Sequence, residues 1–259
     1  MGTKENIFNS PLAVMAWILG ASLILTASVI AYSFYRVKAL NNTVSVVGSA
    51  EKLITSDTVK WSSTLSLTTG TEELAKASEQ LRKNAEVVQE FFSEKGVEAS
   101  QVTIAPVQIS ENCNNSNNII WGPDGQKCTE GNITGYTFSQ QIMVESDKVQ
   151  DVTALAKSAS EHFLFEDIFM TTKSLEYYYS KLDDLKLEML EQATKNAKDR
   201  AQRIAESTGS SVGYLQSASV GVFQITAPNS TDFEDYGRYD TSTLEKKIVS
   251  VVRAAFTLK

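Results

Sequence analysis

Charge is absent from the chain between Glu5 and Arg36, and Leu12–Tyr35 is a run of 24 mostly apolar residues. A helix of about 20 such residues spans the hydrocarbon core of a bilayer, so a transmembrane helix is predicted over 12–35. Pro11 suits its first turn, and Tyr32, Phe34 and Tyr35, followed by Arg36 and Lys38, suit an exit through the headgroups. The run is longer than the apolar part of a cleaved signal peptide, usually about 7–15 residues, and no A-x-A site follows it. Beyond Lys38 the pattern changes to two-residue alternations and helical stripes. Alternation predicts strands over Thr43–Ser49, Thr58–Thr69, Gln101–Ser110, Tyr136–Glu145, Asp167–Tyr179, Val212–Thr226 and Lys246–Leu258. In Thr58–Thr69, Val59, Trp61, Leu65 and Leu67 point one way; Lys60, Ser62, Thr64, Ser66 and Thr68 point the other. Pro106 marks its strand as an edge or a bulge.

Three apolar stripes predict helices. The first starts after Thr71, a candidate cap, and buries Leu74, Leu81, Ala85, Val88 and Phe92 before Gly96. The second, Asp147–Glu161, buries Val149, Val152, Leu155, Ala156 and Ala159. The third, Ser180–Gly209, is the spine of the chain. Leu182, Leu185, Met189, Ala193, Ala197, Ala201 and Ile204 share one face of it. The alanine row, continued by Ala205, lets the helix axis lie close to whatever it covers. Lys195, Lys198, Asp199, Arg200, Gln202 and Arg203 form the opposite, polar face, and Gly209 supplies the left-handed residue that ends the helix. Two stretches read as irregular inserts, Glu111–Asn132 and Pro228–Ser242. The order β-β-α-β-β-α-β-α-β-β is an α/β fold, α+β-like with a mixed sheet. A β-α-β-β unit recurs at 58–145 and 167–258 as a pseudo-repeat.

An ordered set of segments then resembles the SIMPL-domain (YggE-like) family. It comprises TVSVVGSAEKLITSDTVKWSSTLSL, the stretch Gly96–Ile104, Gly135–Phe138, and A-K-x-x-A-x-x-[IL]-A-x-x-x-G at Ala197–Gly209. The resemblance covers about Thr43 to Leu258. It implies an α/β domain in the periplasm or outside the cell, a tendency to large ring-like homo-oligomers, and no established reaction. The domain plan is a tail (1–11), a transmembrane helix (12–35), a linker (36–42) and a SIMPL-like domain (43–259) with inserts at 111–132 and 228–242.

Charge narrows the partners. The chain has 31 acids and 24 bases; without residues 1–38 these become 30 and 21, a net charge of -9. Nucleic-acid binding depends on lysines and arginines that neutralise phosphates, so nucleic acid is excluded, while the bilayer and a second copy of the chain remain as partners. Cys113 and Cys128 are the only cysteines. A disulfide between them closes the first insert; free thiols are the alternative, and no metal-ligand set surrounds them. A disulfide places the large domain in an oxidising, extracytoplasmic compartment. The flanking charges (Lys4 against Arg36 and Lys38) lean weakly the other way.

Candidate chemistry is sparse. His162 is the only histidine, and its simplest reading is a half-buried helix-end residue. Asp232, Glu234, Asp235 and Asp240 lack calcium-loop spacing. Phe233, Tyr236 and Tyr239 lie in a polar insert and are candidates for an interface, as are Lys195, Lys198 and Arg203 on the spine. No phosphate-binding or nucleophile-elbow glycine pattern is present, so no catalytic residue, metal or cofactor is expected. The expected function is a membrane-anchored, self-assembling envelope protein with a structural or protective role. The alternative is a module that binds a small molecule or peptide in a cleft walled by the two inserts.

Overall fold

The structure, a computed structural model, describes residues 11–39, 42–122, 125–232 and 234–259. Helix α1 (Pro11–Ala39) is long and apolar enough to cross a membrane, and none of its hydrophobic span is covered by protein. Of the predicted tail (1–11) and linker (36–42), α1 takes Pro11 and 36–39, since the helix continues past the apolar run, while residues 1–10, 40 and 41 lie outside the described residues. The chain divides into two compact units: Met1–Ala50, Leu187–Val222 and Ser250–Lys259 form one, and Glu51–Lys186 with Phe223–Val249 form the other.

The second unit is built on an antiparallel sheet. Strand β2 (Thr58–Thr69) pairs with β7 (Ile133–Ser146) on one side and β8 (Phe169–Tyr178) on the other. The far edge of β7 takes two short strands, β3 (Val102–Ile104) and β4 (Gln108–Cys113). A single strand was expected over Gln101–Ser110. Pro106 has no N–H to donate, and the ladder breaks around it. Helices α2 (Leu74–Glu94) and α3 (Val149–Leu164) bury the stripes expected of them. Leu81, Val88, Phe92, Ala159 and Phe163 meet Trp61, Leu65, Phe138 and Ile142 in one core, with the Trp61 and Phe92 rings 5.3 Å apart. Two details differ. Thr71 caps nothing: α2 begins after Glu73, whose carboxylate pairs instead with Lys76 at 2.8 Å. Leu74, in that first turn, is 38 % exposed.

The first unit holds the spine, α4 (Leu182–Ser207), whose first turns belong to the other unit. Ala193, Ala197, Ala201 and Ala205 are fully buried. The backbone of β1 (Thr43–Thr55) comes so close at Gly48 that a Cβ there would stand 2.2 Å from the Ala193 carbonyl and 2.6 Å from the Ala197 Cβ. The close approach expected of the alanine row is thus met by a glycine on the strand. Gly209 follows the helix with φ 73°, as its C-terminal position requires. Ile204, expected inside, is 47 % exposed. The row continues by four-residue steps to Ala205, which leaves Ile204 on the flank beside Val47, Arg200 and Arg203.

Strand β12 (Glu245–Leu258) pairs with β9 (Val212–Val220) and β10 (Gln224–Thr226), which were expected as one strand. The break falls at Gly221–Phe223, where the Gly221 N–H bonds to the Val251 carbonyl. A two-residue β11 (Arg238–Tyr239) lies parallel to β10. The sheet order is β1-β12-β10-β11, with β9 also on β12. The second β-α-β-β unit expected at 167–258 therefore does not form, because its first strand belongs to the other sheet. Strand β8 joins the sheet of β2, and β1 takes the place beside β12 that β2 takes beside β7.

Candidate functional site

The first insert is ordered by short-range pairing and one cross-link. Strands β5 (Ile119–Gly122) and β6 (Gly125–Cys128) form a hairpin in a stretch expected to be irregular. Cys113 at the end of β4 and Cys128 at the end of β6 are joined, Sγ to Sγ, at 2.01 Å. Glu111 Oε2 accepts the Cys128 N–H at 2.7 Å, and Asn114 and Asn132 bond across the base of the insert. Ile120 and Trp121 stand exposed near the tip. Asn and Gly obscured the alternation that would have marked the hairpin.

The second insert is anchored by a buried cation that its own sequence does not announce. Lys246, at the start of β12, is fully buried. Its ammonium donates to the Thr243 carbonyl and lies 3.9 Å from Asp240 Oδ2. Burial pushes the Lys246 pKa down, and the Asp240 charge opposes this only in part. Burial also acts to raise Asp240, but hydrogen bonds from Thr243 and Ser242, with the Lys246 charge, outweigh it and hold the carboxyl below its ordinary value. Asp232 and Glu234 pair with Arg238 at 3.1 and 3.6 Å, so with Asp240 against Lys246 three of the four acids of the cluster face a cation. Among the described residues no group of three His, Cys, Asp or Glu side chains could hold a metal. The three aromatic candidates separate. Tyr239 stacks on Tyr178 at 6.1 Å, whose hydroxyl donates to Glu176 at 2.6 Å and is pushed up to about 12, first by that bond and then by burial. Tyr236 is 98 % exposed. Phe233 lies outside the described residues. His162 stacks on Phe91 at 4.3 Å, 3.7 Å from Glu166, at the end of α3.

The spine's polar residues also separate. Lys195, Lys198 and Arg203 are exposed. Arg200 and Asn196, one turn apart, serve the strand beside them: Arg200 Nη1 donates to the Val47 carbonyl at 2.8 Å, and Asn196 Oδ1 accepts the Ser49 N–H at 3.2 Å. These side chains occupy two of the backbone groups through which β1 could recruit another strand. The opposite edge has a different character. Strand β9 has β12 as its one strand neighbour among the described residues, and Tyr214 through Val220 are exposed on both faces. Its sequence, VGYLQSASV, contains no charge and no proline. Alternation marked β9 as a strand, but nothing in the sequence marked it as an edge.

These observations define a class: a two-unit, mixed α/β protein behind a helix able to cross a membrane, with one long uncharged sheet edge. The chain belongs to the SIMPL family, described as a protein of unknown function (DUF541), which matches residues 44–252. No curated protein matches the chain.

Proposed function

We propose that this protein is a membrane-anchored scaffold of the cell envelope. Its large domain lies outside the cytoplasm and self-assembles through β9 into a large, ring-like homo-oligomer, without catalysis. The observation that carries this reading is the β9 edge. Soluble proteins blunt exposed edges with lysine, proline, bulges or covering side chains. This chain ties two backbone groups of β1 to Asn196 and Arg200 and interrupts the β3–β4 edge at Pro106, whereas β9, although bulged against β12, carries no charge, no proline and exposed side chains from Tyr214 to Val220. The Cys113–Cys128 disulfide supports an oxidising compartment. Pairing β9 with β9 about a two-fold axis would stop at a dimer, so a ring requires β9 to meet a different surface of the next copy.

The test is the mass of the full-length protein in mild detergent, by light scattering coupled to size exclusion. A discrete assembly larger than a dimer is expected, and Ser217→Lys, which puts a charge on the exposed strand, is expected to dissociate it. A monomer or dimer at all concentrations sinks the ring. A large assembly that survives Ser217→Lys removes β9 from the interface.

A further inference from the structure

One face of the β2–β7–β8 sheet packs on the helices; the other is polar, and on it Thr64, Ser66, Ser139 and Gln141 form a floor of hydroxyls and an amide with Lys173 beside them. On β8, Met170 and Thr172 face the core, Thr172 accepting a hydrogen bond from Trp61 Nε1 at 3.2 Å; further along, Leu175 and Tyr177 face it. The alternation has slipped by one. Ser62 stands opposite Ser174 and Ser63 opposite Thr172, which leaves Lys173 as the extra residue of a β-bulge. Lys173 joins Thr64 and Ser66 of β2 and Ser139 and Gln141 of β7 in lining a cleft of 450 Å³. The far wall is the ladder break at Pro106, with Gln108 just beyond it. Gln141 Nε2 donates to Ser62 Oγ at 2.7 Å, which fixes the direction of its amide. Neither insert lines this cleft.

A solvent-facing sheet surface is polar in any case, but it needs neither a bulge that sets Lys173 and Ser174 side by side on it nor a notch opposite that lysine. The volume falls in the small-molecule range of about 300–1,000 Å³. Lys173 is the one charged residue among those lining the cleft, and the rest of the polar lining consists of groups that both donate and accept. We propose that the cleft binds a small sugar acid, its carboxylate on Lys173 and its hydroxyls on the serine, threonine and glutamine side chains. One flexible ammonium matches one carboxylate, whereas phosphate sites typically gather several donors or an arginine fork. The cleft has no aromatic side chain among its lining residues, so it reads polar edges and not the apolar face of a sugar ring. This site is independent of β9 and of assembly.

The full-length protein in detergent is titrated calorimetrically with glucuronate, galacturonate and N-acetylmuramate, and with glucose, acetate and inorganic phosphate for comparison. At least one sugar acid is expected to bind, with glucose and acetate each about tenfold weaker or worse, since each lacks one half of the recognition. Lys173→Gln is expected to weaken that binding about tenfold. Lys173→Arg retains most of it, and both variants keep the wild-type circular dichroism and assembly mass. The proposal is overturned if no sugar acid binds, if Lys173→Gln leaves binding unchanged, or if phosphate binds more tightly than every sugar acid.

Discussion

A methyl group separates glycine from alanine, and at position 48 it would enter the backbone of α4, 2.4 Å from the Ala197 nitrogen. Relief requires the helix and strand to part, and the buried alanine row cannot follow because its side chains have no reach. Gly48→Ala is expected to destabilise the protein by about 2 kcal/mol, the range of overpacked cores, seen as a lower denaturant midpoint at unchanged slope. The second residue-scale case is electrostatic. Removing one partner of a buried ion pair strands the other, whereas replacing the stranded charge by an apolar side chain relieves it. Asp240→Ala is expected to cost about 3 kcal/mol, and adding Lys246→Met to recover most of it. The sign with pH follows. In Asp240→Ala the folded Lys246 pKa falls further below the ordinary lysine value of 10.5. The unfolded chain then binds more protons between the two values, so stability of this variant rises as pH climbs toward 10.5. A pH series of denaturant midpoints that stays parallel to wild type through the alkaline range would contradict the assignment.

At the scale of elements, the first insert is a hairpin held at its base. Its two strands have four residues each, and an isolated hairpin of that size is marginal in water. The cross-link between positions 15 apart is therefore what keeps it paired. In the chain-entropy account a loop of this length is worth about 3 kcal/mol. Cys113→Ala with Cys128→Ala is expected to make 114–127 sensitive to limited proteolysis, while β7, β2 and their helices stay protected from amide exchange. Loss of protection in β2 as well would show that the insert supports the core. Elements also explain what periodicity misplaced. Proline and glycine divide two predicted strands into β3 and β4, and into β9 and β10, without moving either pair off the neighbouring strand.

At the scale of the molecule, the uncovered apolar helix and the disulfide are what support the proposed anchoring and oxidising compartment. Thiol labelling of intact cells tests the compartment. Cys113 and Cys128 are expected to resist an impermeant maleimide until a reductant is added, and then to label without lysis. Labelling only after lysis, with no reductant, would place the domain in the cytoplasm.

The sequence by itself determined which residues alternate and which form stripes, because burial imposes a period of two on strands and 3.6 on helices. It thereby determined the membrane-length helix, the three soluble helices, the core faces of β2 and α3, and the close packing of the alanine row. The ordered motifs also led to the SIMPL family. Tertiary structure decided what local pattern does not encode. It selected which strands became edges, so that β1 has two backbone groups tied to Asn196 and Arg200 while β9 keeps an exposed, uncharged and bulged edge. It placed β8 beside β2 and β1 beside β12, so the expected 167–258 unit did not form. It buried Lys246 against Asp240 and set Lys173 over a cleft with Thr64, Ser66, Ser139 and Gln141. Each of these depends on partners distant in the chain, and a lysine has the same local sequence signature whether a fold later buries it, bends it over a cleft or leaves it in water.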